Sequence, residues 1–329
     1  MSVFVTFKEI KEAAARINPF VHHTPVFTSK TINSICKAEV FFKAENLQKV
    51  GAFKARGAVN AVFSLDEESA GKGVATHSSG NHAAALAYAA RCRGIEAHVV
   101  MPEGALPVKK AAVAGYGAKI TYCESTLKAR EAALAAVVEQ TGAEFIHPYN
   151  DTRVIAGQAT CALELMQQVS GLHTIITPVG GGGLLSGTAL AVSALNPGTV
   201  VLGAEPAGAD DAFRSLQAGK IIPMENPQTI ADGLRTSLGE LTFPIIQKYV
   251  TAIITVSEPA IMEAMRLIWE RMKTVVEPSA AVTLAALLTR RNEIKGSRIG
   301  LVISGGNADL DNLPWTKQKQ PEQQSRNYL

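Results

Sequence analysis

The sequence predicts an α/β fold with mainly parallel sheets and helices on both faces. From Val40 onward, short runs rich in β-branched and aromatic residues alternate with alanine-rich stretches of helical spacing. Strands and helices that alternate in this way form parallel sheets joined by crossover helices. The 329 residues suggest about two domains. A hydrophobic content of 47% against 19% charged residues is typical of a chain with a buried core.

The elements follow in order along the chain. The first is a helix that opens with capping-box spacing at Thr6 and Glu9 and presents Ile10 and Ala13 on its apolar face. Strands are predicted at residues 40–43, 73–77, 97–101, 119–122, 145–147, 174–178, 200–205, 252–256 and 298–303. Helices between them include residues 81–93, 126–140, 183–194 and 258–273. The longest uncharged stretch, residues 165–204, contains prolines and four consecutive glycines, so we interpret it as a buried strand, loop, helix and strand.

Composition excludes several classes of protein. The 32 basic and 29 acidic residues are scattered, so no surface for nucleic acid is predicted. The four cysteines lie far apart without a C-x-x-C pair, which argues against a disulfide framework or a zinc site and favours a reducing compartment. The apolar run at the N-terminus is too short for a signal peptide. We therefore expect a cytoplasmic protein without a membrane partner, and a disordered, glutamine-rich tail at residues 318–329.

Three strand-to-helix junctions are unusually rich in glycine or polar residues. They are residues 77–82, 179–184 and 304–307. In open parallel sheets, ligands bind beyond the carboxyl ends of the strands, where loops lead into helix N-termini. These junctions are therefore the candidate binding loops.

The second junction has the character of a phosphate site. Gly180, Gly181, Gly182 and Gly183 follow a strand and open a helix, so backbone N–H groups can surround an anion at the positive end of the helix dipole. A tight turn with crowded helix–strand packing is the structural alternative. Neither a P-loop nor a G-x-G-x-x-G pattern starts in this run, so the phosphate is not expected to belong to ATP hydrolysis or NAD.

Lys54 lies in an apolar context, between Phe53 and small residues. A lysine in such surroundings loses its proton more easily and can attack an aldehyde, although a solvated surface lysine is the ordinary alternative. A phosphate cradle together with such a lysine suggests pyridoxal phosphate bound as a Schiff base.

The ordered motifs resemble those of the fold-type II pyridoxal-phosphate enzymes, whose fold is similar to the β-subunit of tryptophan synthase. The motifs are Ala-Phe-Lys-Ala-Arg-Gly-Ala at 52–58, Ser-Ser-Gly-Asn-His at 78–82, the glycines at 180–183 and Ser-Gly-Gly-Asn at 304–307. The similarity is greatest to serine racemases and serine/threonine dehydratases and covers residues 5 to 316. It implies two doubly wound parallel-sheet domains: a large one from residues 1–72 and 151–317, and a small, mobile one from residues 73–150.

The resemblance implies a role for each matching residue at the cofactor. Lys54 would bind the cofactor covalently and then act as the base at Cα, with Phe53 beside the pyridine ring. Asn81 would contact the 3′ oxygen of the ring, and Ser304 the pyridine nitrogen. The amides of Gly180, Gly181, Gly182 and Gly183, with Leu184 next to them, would hold the phosphate.

The resemblance also implies substrate contacts. Ser78, Ser79 and His82 would lie in the loop that binds the substrate carboxylate, and Arg130 would be a substrate-side arginine. Ser79 would exchange the Cα proton on the face opposite Lys54, or only bind the carboxylate. The structural alternatives are a Ser/Asn N-cap for the helix at 81–93 and a solvated position for Arg130. His98, His147 and His173 have no ligand spacing and are expected to pack or cap, and His22 and His23 are expected to lie in a loop.

An acidic turn after a strand is a candidate cation site. Carboxylates and turn carbonyls are the hard oxygen ligands that Mg²⁺ and Ca²⁺ prefer. The family pattern places such ligands at Glu205, the carbonyl of Ala209, and Asp211. Alternatively, Asp210 and Asp211 only complement the dipole of the helix that follows.

Two departures from the pattern bear on regulation. Ala83 and Ala84 stand where animal serine racemases carry glycine and a nucleotide-contacting glutamine, which argues against ATP activation. Ala52 replaces the usual serine before Phe-Lys. Because the chain stops shortly after Trp315, a regulatory domain and feedback control are not expected.

The expected activity is a pyridoxal-phosphate-dependent β-elimination that converts L-serine- or L-threonine-type hydroxyamino acids to a 2-oxo acid and ammonia, with serine racemisation as a further activity. A 3-hydroxyaspartate dehydratase is the alternative, suggested by residues 147–151 and 313–315. A cysteine-synthase-type β-replacement enzyme and a non-catalytic phosphate-binding protein are weaker alternatives. The expected partners are the small substrate and a second copy of the chain, in a homodimer.

Overall fold

The computed structural model describes residues 5–78, 80–105 and 107–316. Ser79 and the tail predicted at 318–329 lie outside these residues. The strands are β1 Val26–Phe27, β2 Glu39–Ala44, β3 Val74–His77, β4 Ala97–Pro102, β5 Lys119–Cys123, β6 Glu144–Phe145, β7 Thr174–Pro178, β8 Val200–Pro206, β9 Ala252–Val256 and β10 Arg298–Ile303. The helices are α1 Phe7–Ile17, α2 Lys30–Cys36, α3 Lys54–Phe63, α4 Glu67–Gly71, α5 Asn81–Arg93, α6 Pro107–Gly115, α7 Leu127–Thr141, α8 Thr152–Gln168, α9 Gly183–Leu195, α10 Asp211–Ala218, α11 Thr242–Tyr249, α12 Glu258–Met272 and α13 Pro278–Arg290.

The α/β prediction is confirmed, with two parallel-sheet domains. One sheet has six strands in the order β1-β2-β10-β7-β8-β9, and the other has four in the order β5-β4-β3-β6. Among the described residues, every neighbouring pair is parallel except β1 and β2. The strands of the smaller sheet all come from the part of the chain predicted as the small domain, residues 73–150. The mobility of that domain and its boundaries stay predictions.

Helices cover both faces of the larger sheet, as its strand pattern requires. On β7, Ile175 packs with α8, α9 and α11, whereas its neighbour Ile176 packs with α12 and α13. Adjacent side chains on a strand point to opposite faces, so strands buried on both faces are apolar throughout.

Most predicted elements lie within one or two residues of their expected bounds. The capping box is present, since the Thr6 side chain accepts from the Glu9 amide and Glu9 accepts from the Thr6 amide. The strand predicted at 145–147 is instead β6, Glu144–Phe145, because His147 leaves the sheet to accept two backbone N–H groups. In the described residues, no helix is both long and apolar enough to cross a membrane. The uncharged stretch accordingly forms the end of α8, then β7, α9 and β8.

Glycines allow three helices to approach closely beside the larger sheet. A Cβ on Gly157 of α8 would lie 2.6 Å from the carbonyl oxygen of Arg56 in α3. One on Gly187 of α9 would lie 2.6 Å from the backbone nitrogen of Ala159 in α8. Because backbone atoms cannot move away from a new methyl group, these contacts set the spacing of α3, α8 and α9.

We predict that Gly187→Ala lowers the free energy of unfolding by about 1–3 kcal/mol through overpacking, measured by urea denaturation. Gly71→Ala is the matched control, because a Cβ at the end of α4 meets nothing within 4 Å. It should be neutral or stabilise the protein by up to about 1 kcal/mol. Equal unfolding midpoints for both variants would contradict this account of the helix packing.

Candidate functional site

The predicted cofactor and substrate residues converge on one cavity of about 1150 Å³. It is formed by loops at the carboxyl ends of strands from both sheets. Of the predicted residues within the described chain, those that line it are Phe53, Lys54, Ser78, Asn81, His82, Arg130, Gly180, Gly181, Gly182, Gly183, Leu184 and Ser304.

Lys54 is the first residue of α3 and is half-buried in the cavity wall. Its Nζ donates a hydrogen bond to the Pro148 carbonyl at 2.8 Å and lies 5.2 Å from the centre of the Phe53 ring. Burial disfavours the charged amine and lowers the pKa of Lys54 to about 8. A lysine of this kind is a competent nucleophile and base near neutral pH.

A buried ion cluster holds the first turn of α3. Arg56 is fully buried, and its guanidinium donates to both oxygens of Glu45 at 2.7 and 2.8 Å. It also donates to both oxygens of Glu164 in α8, at 2.7 and 2.8 Å. The Glu164 carboxylate also pairs with the buried Lys43 of β2 at 2.7 Å. The cluster therefore ties α3 to β2 and α8, two residues beyond Lys54.

The glycine loop between β7 and α9 is shaped to receive an anion. Gly182 is the N-cap of the 13-residue α9 with φ +90°, a conformation that favours glycine, and no described side chain caps the helix. A Cβ on Gly181 would overlap the Tyr149 ring at 2.3 Å, so only glycine fits there. The free N–H groups and the helix dipole suit a phosphate. Together with Lys54, this donor set fits pyridoxal phosphate.

The junction after β3 differs in part from its prediction. The N-cap of α5 is Gly80, and no described side chain caps the helix, so neither Ser78 nor Asn81 provides the cap of the structural alternative. Ser78 instead accepts the Gly80 N–H at 3.3 Å, so within the described residues no side chain takes the first N–H groups of α5, which suit a carboxylate. His82 is buried, and its Nε2 lies 3.2 Å from the Ile146 carbonyl. Burial, and secondarily the Lys54 charge, lower the pKa of His82 well below its usual value.

Ser304 and Asn81 lie in junctions that follow strands of different sheets. Ser304 is buried just after β10, and its carbonyl accepts the Phe53 N–H at 3.0 Å. Asn81 follows β3, donates to Glu277 at 3.0 and 3.2 Å and accepts from Asn307 at 2.8 Å. Glu277 and Asn307 also line the cavity, but the sequence analysis assigned them no separate role.

An aromatic cluster beside Lys54 was not predicted from the sequence. His77, His147 and Tyr149 all line the cavity, and the His147 and Tyr149 rings meet edge to face at 4.5 Å. His147 does cap, as expected, through the Asn150 N–H at 2.9 Å. Burial, His77 and Lys54 lower the pKa of His147 to about 4, so its ring is neutral at pH 7. Their position at or just after the ends of predicted strands was the available signal.

Arg130 lies on α7 at the cavity wall rather than on a fully solvated face. It is half-buried, and its Nε contacts the Thr126 carbonyl at 3.4 Å. Its two terminal nitrogens have no hydrogen-bond partner within the described residues, so the planar fork of the guanidinium is available to a carboxylate.

The acidic turn lies apart from the residues that line the cavity. One oxygen of Glu205 accepts the Phe213 N–H at 2.6 Å, and one oxygen of Asp211 accepts the Leu238 N–H at 3.3 Å. The second oxygen of each carboxylate is buried without a protein partner in the described chain. Burial, with smaller contributions from neighbouring carboxylates, raises the pKa of Glu205 to about 9 and that of Asp211 to about 7.

A bound cation explains these unpartnered oxygens better than an interaction with the helix dipole does. No cluster of three or more His, Cys, Asp or Glu side chains suited to a metal occurs in the described residues, so a site here needs the Ala209 carbonyl as well. Asp210 is the N-cap of α10 and pairs with Arg214 at 2.7 Å. The dipole explanation therefore accounts for Asp210 and leaves the unpartnered oxygens of Glu205 and Asp211 unexplained.

Comparison with known proteins agrees with this geometry. A family model described as "Pyridoxal-phosphate dependent enzyme" matches residues 17–305. A serine racemase of Dictyostelium discoideum is 53% identical, over 94% of this chain and 97% of its own. A beta-hydroxyaspartate dehydratase of Paracoccus denitrificans is 51% identical, over 94% and 98%. The crystal structure of a T.th. threonine deaminase superposes with a TM-score of 0.89 at 47% identity, over 93% and 99%.

We predict that the amine of Lys54 becomes reactive at lower pH than an ordinary lysine. In the full chain freed of cofactor, its acylation rate should level off above a pH of about 8, because burial favours the neutral amine. Ordinary lysine amines gain reactivity up to about pH 10. Mass spectrometry of the digest compares Lys54 with Lys8, which is 84% exposed. Identical pH profiles for the two would contradict the assigned pKa.

Proposed function

Because the chain belongs to the family of pyridoxal-phosphate-dependent enzymes, we propose that it is an ammonia-lyase acting on L-serine- and L-threonine-type hydroxyamino acids. It releases a 2-oxo acid and ammonia, and racemises serine as a second activity. The observation that carries the proposal is a cavity lined both by a lysine of lowered pKa and by a glycine cradle at a helix N-terminus. The relatives described above include a serine racemase and a threonine deaminase, whose names agree with this chemistry.

Each residue of the cavity has a proposed task. Pyridoxal phosphate, when bound, withdraws electrons from Cα of the attached amino acid, so that a proton there becomes acidic. Lys54 takes that proton at its Nζ, for which its lowered pKa suits it. The Gly180–183 amides hold the phosphate, Asn81 and Ser304 contact the ring, and Phe53 packs beside it.

The substrate carboxylate is proposed to bind at the start of α5. Ser78, the N–H groups after Gly80, and His82 form that loop, and the helix dipole favours an anion there. Because the pKa values of His82 and His147 are lowered, both rings are neutral at pH 7 and place no positive charge beside Lys54. Ser79 is proposed to exchange the Cα proton on the face opposite Lys54, as the resemblance suggests.

We predict that Lys54→Ala abolishes 2-oxo acid release from serine, threonine and each isomer of 3-hydroxyaspartate. It should also abolish the borohydride-reducible adduct between the chain and pyridoxal phosphate, because the amine that forms the bond is gone. Lys49→Ala, a change of the same kind outside the cavity lining, should retain both. A reducible adduct in the Lys54→Ala protein would refute the assignment.

A 3-hydroxyaspartate dehydratase is the second candidate, and Arg130 is the observation that favours it. The terminal nitrogens of its guanidinium have no partner among the described residues and lie at the cavity wall. There they can donate hydrogen bonds to a second carboxylate of the substrate. The Paracoccus relative is a beta-hydroxyaspartate dehydratase. Arg235 also lines the cavity, but it donates to the Thr229 carbonyl through Nε and one terminal nitrogen.

We predict that Arg130→Met lowers kcat/KM for 3-hydroxyaspartate by roughly 10- to 100-fold, the loss expected for a hydrogen bond to a charged group. Release of pyruvate from serine should change by less than about 3-fold, because serine has no second carboxylate. Lys128→Met is the matched control, since it removes one charge from the exposed side of α7. Equal losses for both substrates would remove the support for the dicarboxylate candidate.

A divalent cation, Mg²⁺ or Ca²⁺, is proposed at Glu205, the Ala209 carbonyl and Asp211. The unpartnered buried oxygens of the two carboxylates support it, because a cation would compensate charges that burial otherwise penalises. Its place outside the cavity lining indicates a structural rather than a catalytic role.

We predict that a chelator lowers the Tm and that Mg²⁺ or Ca²⁺ restores it. A ligand at 100 times its Kd stabilises the folded state by about 2.7 kcal/mol. Asp211→Asn should remove the response to added cation, whereas Asp210→Asn should keep it. A Tm unaffected by chelator in the unaltered chain would show that these carboxylates bind no cation.

The cellular setting is part of the proposal. None of the four cysteines forms a disulfide in the described chain, which supports a reducing, cytoplasmic compartment. The homodimer stays a prediction that light scattering can check.

A further inference from the structure

Glu277 is an N-cap residue whose side chain does not cap its own helix. It precedes the 13-residue α13, and its carboxylate makes no cap hydrogen bond there. An N-cap side chain ordinarily accepts an N–H from its own first turn. Instead, both carboxylate oxygens of Glu277 accept from Nδ2 of Asn81, at 3.0 and 3.2 Å. The residue is 5% exposed, so this acceptor lies in the interior beside the cavity.

The other end of the Asn81 amide is held as well. Its Oδ1 accepts from Nδ2 of Asn307 at 2.8 Å, and the same nitrogen donates to the Val50 carbonyl at 2.8 Å. Gly51, with φ +68°, makes room for Asn307, since a Cβ there would lie 2.6 Å from its Oδ1. Asn307 is thus fixed by the turn that leads into Phe53 and Lys54.

These partners allow only one orientation of the Asn81 amide. A carboxylate accepts and cannot donate, so the nitrogen of Asn81 must face Glu277. A flipped amide would set its oxygen against the carboxylate and its nitrogen against the nitrogen of Asn307. Both hydrogen bonds would be lost, and an acceptor would face an acceptor across a buried contact.

One N–H of Asn81 remains for a ligand. The two contacts to Glu277 share one hydrogen in a three-centre bond, because the two hydrogens of an amide diverge. The second N–H has no partner among the described residues, and Asn81 lines the cavity. A flip would replace this donor by the carbonyl oxygen, which repels an oxygen-bearing ligand group.

We infer that Glu277 and Asn307 are positioning residues that lock Asn81 as a hydrogen-bond donor to the cofactor ring. The inference rests on the proposed function, specifically on the contact of Asn81 with the 3′ oxygen of pyridoxal phosphate. Glu277 and Asn307 act through Asn81 and need no contact with the substrate. Gly305 supports the arrangement, because a Cβ there would lie 2.6 Å from Oε1 of Glu277 and 3.3 Å from Nδ2 of Asn81.

The charge of Glu277 sets the condition for a test. Burial, and secondarily Asp232, raise the pKa of Glu277 to about 7, whereas the Asn81 bond and Lys109 act in the opposite direction. A protonated carboxyl can donate and would permit the flip. Measurements at about pH 8.5, above this pKa, keep the carboxylate ionised.

The test is a double-mutant cycle in which the full chain is titrated with pyridoxal phosphate. The visible absorption band reports both the affinity and the environment of the cofactor. Glu277→Gln should weaken cofactor binding roughly 10-fold and shift the band, because glutamine tolerates both orientations of Asn81. Asn81→Ala should weaken binding at least as much. In the Asn81→Ala background, Glu277→Gln should change the affinity by less than about 2-fold, since the residue through which it acts is absent.

Matched variants separate positioning from loss of fold. Glu258→Gln changes a half-buried glutamate that accepts the Ile230 N–H at 2.8 Å, and it should leave affinity and band unchanged. Should Glu277→Gln not fold, Asn307→Ala alone and with Asn81→Ala makes the same comparison.

Two results would overturn the inference in distinguishable ways. Losses that add fully in the double variant would show that Glu277 acts independently of Asn81, with the cofactor role of Asn81 intact. If Asn81→Ala alone changes neither affinity nor spectrum, the proposed contact between Asn81 and the cofactor is itself wrong.

Discussion

The buried ion cluster beneath α3 is the constraint on which the site depends. Arg56 has no exposed surface and is shared between Glu45 and Glu164, which also holds Lys43. Removing one member of such a cluster costs about 3–5 kcal/mol, because a buried charge is left uncompensated. The first turn of α3 therefore cannot shift against β2 and α8 without breaking these bonds. Lys54, two residues before Arg56, acquires its position from contacts that never touch a ligand.

The rest of the site follows from where the parallel strands end. The ends of β7 and β10 lie at one edge of the larger sheet and supply the glycine loop and Ser304. The end of β3 in the smaller sheet supplies the start of α5. Helix N-termini thus approach the cavity from two sheets, and their dipoles favour anions there. Electrostatic complementarity here comes from backbone as much as from side chains.

Sequence patterns predicted the strands and the loops that line the cavity well because both have local signals. These signals are apolar runs for buried strands and consecutive glycines for close backbone approach. They missed the antiparallel β1, which is only two residues long, and the role of Glu277, which lies 196 residues from Asn81. The alternative that Ser78 or Asn81 caps α5 failed because the Ser78 hydroxyl accepts the Gly80 N–H and the Asn81 amide contacts Glu277. Tertiary partners of this kind have no local periodicity, so only the structure brings them together.

A crystal structure of the chain grown with pyridoxal phosphate is the most direct test of the central claim that Lys54 and the glycine loop hold one ligand between them. The account predicts continuous density from Nζ of Lys54 to the cofactor, with the phosphate against the N–H groups of Gly180–183. An unmodified Lys54 still hydrogen-bonded to the Pro148 carbonyl, with the phosphate bound elsewhere, would contradict it.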